Sequence, residues 1–365
     1  MNKLVIVLLL SCSSGYLMAQ QTDTTFYDAE RTVIKEIYAL ENELPHGDYA
    51  RYYEDGSVAE KGNFISGSRQ GTFVTFFPNS SDTLRTIHFV DGKRSGPAIT
   101  YYTNGNISQE AVFLNDLLQG EVKTYYKNGE LHTRAFFIDN NPQGKRESYY
   151  ENGQMKESAE LADGVLNGKF ERFDEEGNLV SLALYKNGNL SGPFLSYYPG
   201  GEKESEVNYK DGVRHGAYVL YFEDQKIKEE GNYRQGQPHG TFMSYHYDGK
   251  VASVSKFSRG KAQGESVTYH PSGKKASVIS HDRQGNPLQE EQFYDNGQLK
   301  MAVSFVNGLQ NGPMTLYYES GEINEIIPYT NGKISGTYRR FDEAGEVVLE
   351  RIFENGREVS QEIDS

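Results

Sequence analysis

A glycine recurs every 24 residues along this chain: Gly47, Gly71, Gly96, Gly120, Gly144, Gly168, Gly192, Gly216, Gly240, Gly264, Gly312 and Gly336. One step, Gly71 to Gly96, is 25 residues long, and Leu288 occupies the slot of the missing glycine. Thirteen copies of one small unit follow. A unit of this size cannot bury an apolar face by itself, so its stability must come from stacking on its neighbours. A stacked array presents a long surface rather than an enclosed pocket, which points towards binding.

Counting each glycine as position zero, position five is aromatic throughout: Tyr52, Phe76, Tyr101, Tyr125, Tyr149, Phe173, Tyr197, Tyr221, Tyr245, Tyr269, Phe293, Tyr317 and Phe341. Position six is aromatic in most units, including Tyr53, Tyr102, Tyr126, Tyr150, Tyr198, Tyr294 and Tyr318. A third column near position seventeen runs from Phe64 and Phe89 to Tyr329 and Phe353. The 27 Tyr and 19 Phe are therefore placed mainly by the repeat. The position-five column is expected to form the core of the stacked hairpins.

Asn-Gly or Asp-Gly follows the first two columns, as in Asn104-Gly105, Asn128-Gly129, Asn152-Gly153, Asn296-Gly297, Asp55-Gly56 and Asp248-Gly249. Between β-prone runs this pair predicts a two-residue type I′ hairpin turn, which needs positive φ at both positions. A second turn follows the third column, at Asn187-Gly188, Asp211-Gly212, Asn307-Gly308 and Asn331-Gly332. Each unit thus reads as two strands and two turns, and no segment sustains a helical period. In this register position six faces eleven and position two faces fifteen. Large residues at two (Tyr49, Phe73, Phe170, Phe194, Tyr218, Phe242) then oppose small ones at fifteen (Gly62, Ala111, Ala135, Ala159, Ala183, Gly231, Ser255), a packable cross-strand pair. The repeat glycines are placed at hairpin turns. The fold class is all-β: an elongated single-sheet ribbon of tandem antiparallel hairpins.

Asn128-Gly129-Glu130-Leu131, Asn152-Gly153-Gln154-Met155 and Asn331-Gly332 with Gly336-Thr337-Tyr338 resemble the bacterial variant of the MORN repeat. The resemblance covers roughly residues 23–359. Tandem arrays of this kind are similar to YwqK-type antitoxins, so the resemblance implies a protein partner, with toxin neutralisation as one form of that role. The chain departs from the pattern in having no Trp.

Residues 1–19 pair a basic start with a short apolar run and small residues, which reads as a secretory signal cleaved near Ala19. The run is too short to span a bilayer. The alternative makes Leu9-Leu10-Ser11-Cys12 a lipobox with Cys12 lipidated. Both place the chain outside the cytoplasm: periplasmic, at the cell surface or secreted, or lipid-anchored. Residues 20–46 form a worn capping repeat, with Phe26, Ile34 and Leu40 near the template slots. The thirteen repeats occupy 47–359, and 360–365 are a short acidic tail.

Asp and Glu number 51 against 37 Lys and Arg, a net charge of −14. Removing residues 1–19 takes away only Lys3 and leaves the chain still more acidic. This balance argues against nucleic acid, which needs basic patches, and against electrostatic docking to anionic membranes. His246 and His270 occupy position six of adjacent units, and His215 and His239 each precede a repeat glycine. Equivalent positions one unit apart lie roughly 9.6 Å from each other if each unit supplies two strands. That is too far for one metal ion, so His reads as a substitute for Tyr, and no metal or cofactor is expected. No phosphate-binding loop, nucleophile elbow or zinc-protease motif occurs, and no carboxylate pair is fixed by a local motif. The chain reads as non-enzymatic, and a small-molecule ligand is not expected. Two functions stay open: a protein-interaction scaffold using the position-six tyrosines, or a polysaccharide-binding ribbon of aromatic hairpins.

Overall fold

The structure, a computed structural model, describes residues 21–362, with side chains to residue 359. The proposed signal segment, Ala19, Cys12 and residues 363–365 of the acidic tail lie outside this range. The described residues are all strand, turn and bend, with no helix among them. They divide between Leu179 and Val180 into two compact units. In each unit successive strands pair antiparallel with their sequence neighbours, as in Asn141–Tyr149 with Met155–Ala162 and Asn189–Tyr197 with Lys203–Lys210. The hairpin-repeat expectation holds.

The two turns of each repeat differ in a way the dipeptides do not reveal. In the first, Tyr150 N–H donates to Gln154 O at 2.8 Å and Gly153 N–H donates to Tyr150 O at 3.0 Å. The loop therefore contains three residues, and within it only Gly153 is left-handed, at φ 83°. This is a type I turn followed by a bulge glycine, not the anticipated type I′ turn. Tyr149, at position five, faces Met155, at position eleven, so the expected pairing of six with eleven is corrected. A bulge at Lys156 then restores the register, and Arg146 faces Ala159 as expected for positions two and fifteen.

The type I′ geometry belongs to the second turn. Ala162 pairs with Val165 across Asp163-Gly164, whose φ values are 49° and 79°. The ladder then skips: Ala159 pairs with Phe170, so Asn167–Lys169 bulge opposite Glu160. Gly168 sits at that bulge with φ 127°. The repeat glycine thus lies within a strand, not at a turn, and it permits a backbone kink that a Cβ would resist. Leu288 shows what replaces it. There the second turn is a three-residue loop closed by Asp282 N–H to Asn286 O, at 2.9 Å, and by Gly285 N–H to Asp282 O, at 3.1 Å. His281 pairs with Pro287 and Ser280 with Gln289, leaving Leu288 as a single-residue bulge. The longer loop takes up what the glycine bulge otherwise absorbs, so the period of 24 survives without the glycine.

The core lies on the sheet face carrying positions two, four, thirteen, fifteen and seventeen. Phe73 is 2% exposed and packs between Phe64 and Phe89, with ring centroids 5.5 and 5.2 Å away. The second unit repeats this at Phe242, which stacks edge-on against Tyr233 and Phe257 at 5.4 and 5.3 Å. Ala59, Ala111 and Ala159 are buried in the first unit, and Val207, Met301 and Val303 are buried in the second. Hydroxyl pairs at positions four and thirteen, such as Thr124–Thr133 and Ser244–Ser253, both 2.6 Å, satisfy each other on the same face. The position-five rings lie on the opposite face and are only half-buried, which corrects their assignment as the core.

Candidate functional site

The position-six tyrosines are half-buried at the first-turn edge, and each spends its hydroxyl on the next repeat. The hydroxyls of Tyr53, Tyr102, Tyr126 and Tyr150 donate to the carbonyls of Phe76, Tyr125, Tyr149 and Phe173 at 2.7–3.0 Å. In the second unit Tyr198, Tyr294 and Tyr318 donate to Tyr221, Tyr317 and Phe341, each at 2.8 Å. His246 and His270 place Nε2 2.9 Å from the carbonyls of Tyr269 and Phe293, making the same rung. An N–H on Nε2 does there what the phenol does elsewhere. These side chains clamp successive turns together, and a partner would meet only their exposed ring edges.

A second rung runs beside the first. Asn104, Asn128, Asn152 and Asn296 each donate Nδ2 to a carbonyl of the next turn at 2.8–3.1 Å and accept a backbone N–H of their own turn at Oδ1. Where Asp replaces Asn, the carboxylate keeps the local bond and cannot donate. At Asp224 and Asp248 a lysine two residues on supplies the rung: Lys226 reaches Tyr247 O at 3.4 Å and Lys250 reaches Pro271 O at 2.9 Å.

Among the described residues, one charged group is buried on the position-five face. Glu147 is 4% exposed and accepts from Lys145 Nζ at 2.6 Å, Arg134 Nε at 2.8 Å and the Tyr149 hydroxyl at 2.9 Å. Burial pushes its carboxyl up, but the hydrogen bonds from Lys145, Arg134 and Tyr149 outweigh burial and hold it at about 2. A folded-state value below the unfolded one stabilises the fold at pH values above the unfolded pKa, and this is lost as pH falls from about 4.5 to about 2. We therefore expect Glu147→Gln to cost about 2–3 kcal/mol at neutral pH. The gap from the parent should close in urea titrations towards pH 2. A gap that does not change with pH would show that the carboxylate is not the stabilising form.

Two features of the first unit remain available to a ligand. Aliphatic side chains flank its second turns and stay substantially exposed: Leu44, Ile65, Val90, Leu114, Leu117, Ile138 and Val165 range from 38% to 52%. Equivalent positions in the second unit carry Lys210, Arg234, Lys261, Lys333 and Arg357, with aliphatics at Val213, Val306 and Leu309. At the first-turn edge, two enlarged loops flank the ordinary turn at Asp55. Residues 28–32 are closed by Tyr27 N–H to Val33 O, and 78–81 by Phe77 N–H to Asp82 O. Open concavities lie beside them. One is lined by Thr32, Val33, Ile34, Tyr52 and Glu54 to Gly56, the other by Ser57, Val58, Lys61, Phe76 and Asn79 to Ser81. Neither feature is legible in the repeat columns, because each belongs to some repeats and not to others.

The hairpins with paired turns and a bulge glycine are matched by a family of known description. Eight segments, 45–66, 94–115, 118–139, 142–162, 166–187, 190–211, 288–307 and 310–331, match the MORN repeat variant. The chain carries MORN-variant repeats. The unmatched stretches include the 25-residue unit and the run from Gly216 to Gly285, where the turns depart most from Asn-Gly. No curated protein matches this chain. Among solved structures, a TarM mutant of S. aureus aligns at 12% identity over 36% of this chain and 21% of its own, with a TM-score of 0.17. The Photorhabdus luminescens Tc holotoxin pore aligns at 14% identity over 93% of this chain and 19% of its own, with a TM-score of 0.16. A TcdB2–TccC3–Cdc42 structure aligns at 12% over 93% and 22%, also at 0.16. The chain thus spans about a fifth of the length of each.

Proposed function

We propose that this chain is an exported, non-enzymatic scaffold whose MORN-variant repeats hold a protein partner outside the cytoplasm. The observation that carries this reading is the row of half-exposed aliphatic side chains along the second-turn edge of residues 44–165. A solvated edge gains nothing from such residues, whereas a protein partner with an apolar strip would bury them. Toxin neutralisation is the particular form that the YwqK-type resemblance suggests. Export rests on residues 1–19, with cleavage near Ala19 or, alternatively, lipidation of Cys12. The test is capture from native envelope extract with residues 20–365 as bait. The parent should retain one protein at fixed stoichiometry, and Leu114→Lys with Ile138→Lys should lose it about tenfold or more without a change in melting temperature. A folded bait that captures nothing, or a double variant that binds as well as the parent, overturns the reading.

The second reading, polysaccharide binding, is favoured by the concavity beside Phe76, where an aromatic floor meets the polar rim of Ser57, Asn79, Ser80 and Ser81. Stacking of a sugar on that ring predicts binding that survives high salt and is lost in Phe76→Ala.

A further inference from the structure

The Asn-Gly pairs of this chain stand in unequal environments. Asn-Gly is chemically labile because the glycine amide nitrogen can attack the asparagine Cγ. The new N–C bond forms as ammonia leaves and a succinimide results. Water then opens the ring to Asp or isoaspartate. Attack requires a free carboxamide and a free glycine amide.

In the first turns neither is free. The carboxamides of Asn104, Asn128, Asn152 and Asn296 are held at both ends. The following glycine amides donate to the carbonyls of Tyr102, Tyr126, Tyr150 and Tyr294 at 2.9–3.0 Å. In the second turns at Asn331 and Asn355 the glycine amide is tied to the preceding repeat: Gly332 to Gln310 O at 2.9 Å and Gly356 to Ile334 O at 2.8 Å. Asn311 accepts from Asn331 N–H at 3.2 Å, and Asn167 and Asn187 make interactions of their own. Asn307-Gly308 is different. The second turn of the repeat before it closes through Asp282, Gly285 and Asn286 instead, and Leu288 stands in the slot of the repeat glycine. The carbonyl at the corresponding position, Asn286 O, is taken up by the Asp282 N–H at 2.9 Å. Among the described residues neither the Gly308 amide nor the Asn307 carboxamide has a partner, and both residues are exposed.

We propose that Asn307 is a modification site, the preferred position of spontaneous deamidation in the folded chain, and that the loss of the repeat glycine at Leu288 creates it. The fold tolerates the product. Asp91-Gly92, Asp163-Gly164 and Asp211-Gly212 form the same left-handed turn. Deamidation therefore adds a negative charge to the second unit's turn edge without unfolding it, and the iso form lengthens the turn backbone by one methylene.

The test is peptide mapping by mass spectrometry after incubating the folded full chain at mildly alkaline pH, with a parallel sample in denaturant. Asp and isoaspartate should accumulate at Asn307 about fivefold faster than at Asn331, and faster still than at the four first-turn asparagines, one lost hydrogen bond setting that scale. In denaturant the rates should converge. Equal rates in the folded chain, or faster conversion at a first-turn asparagine, would overturn the proposal. So would an excess at Asn307 that persists in denaturant, since the cause would then lie in local sequence and not in the turn. The variant Asn307→Asp should melt with the parent; a clear loss of stability would show that the carboxamide has a structural role.

Discussion

Truncating Phe73 to alanine is expected to destabilise the first unit by about 3–5 kcal/mol, the usual cost of removing a fully buried aromatic ring. Phe73 is the one large side chain in the described residues with essentially no exposure. It is edge-on to Phe64 and Phe89, and Tyr49 lies 6.0 Å away. Its other face carries the Arg69 guanidinium, 4.4 Å from the ring centroid. Arg69 in turn holds the buried Glu60 through two contacts of 3.1 and 3.3 Å. The substitution therefore opens a cavity and also removes the platform that orients a buried ion pair. Losing a partner from such a pair is costly, because the remaining charge is stranded. Urea denaturation followed by tyrosine fluorescence reads the effect. Phe136→Ala, at a ring 48% exposed, is the control and should move stability by less than about 0.5 kcal/mol. Because each repeat touches only its neighbours, the loss should be local, and the transition should broaden or split as the damaged repeats melt first. A loss below about 1 kcal/mol would show that the neighbouring rings collapse into the space.

What the sequence discloses here depends on whether a residue's role is local or repeated. The hairpins and the pairing of positions two and fifteen follow from column size and spacing alone. Asn-Gly is ambiguous because both turn types require a left-handed glycine. The types differ at the residue before it, right-handed at Asn152 and left-handed at Asn187, and loop length settles this only in three dimensions. The tyrosines at position six were read as a binding row because nothing in one repeat shows that a hydroxyl reaches a carbonyl 23 residues later. A signal was present. His246 and His270 share with Tyr a donor at the end of a flat ring, which favours a hydrogen-bonding role over an aromatic one. The repeat glycines misled for a related reason. Positive φ suits a turn and a bulge equally, and only the count of paired residues on each side separates them. The aliphatic edge was invisible to column reasoning because it belongs to some repeats and not to others.

That unevenness is clearest in the core, and it leads to the second large effect. Position fifteen of one repeat lies between position two of its own repeat and position two of the next, so its volume is set by both. Gly231 faces Tyr218 on one side, and Phe242 follows on the other. A Cβ at 231 would lie 2.5 Å from Phe242 Cδ1, too close for any side chain without displacing the ring. In the next repeats the sizes invert: Ile279 faces Ser266 and Glu290. Gly231→Val is therefore expected to cost about 2–3 kcal/mol through overpacking, although its φ needs no glycine. Phe242→Ser should also destabilise, through loss of the stacked ring. Combined, the two place the large residue at position fifteen and the small one at position two of the next repeat, and the double variant should be more stable than the sum of the single losses by about 1–3 kcal/mol. Thermal and urea unfolding of the four proteins in this cycle measure that coupling. Strict additivity would mean that the two positions do not share one packing space, and the volume rule for the whole array would fall with it.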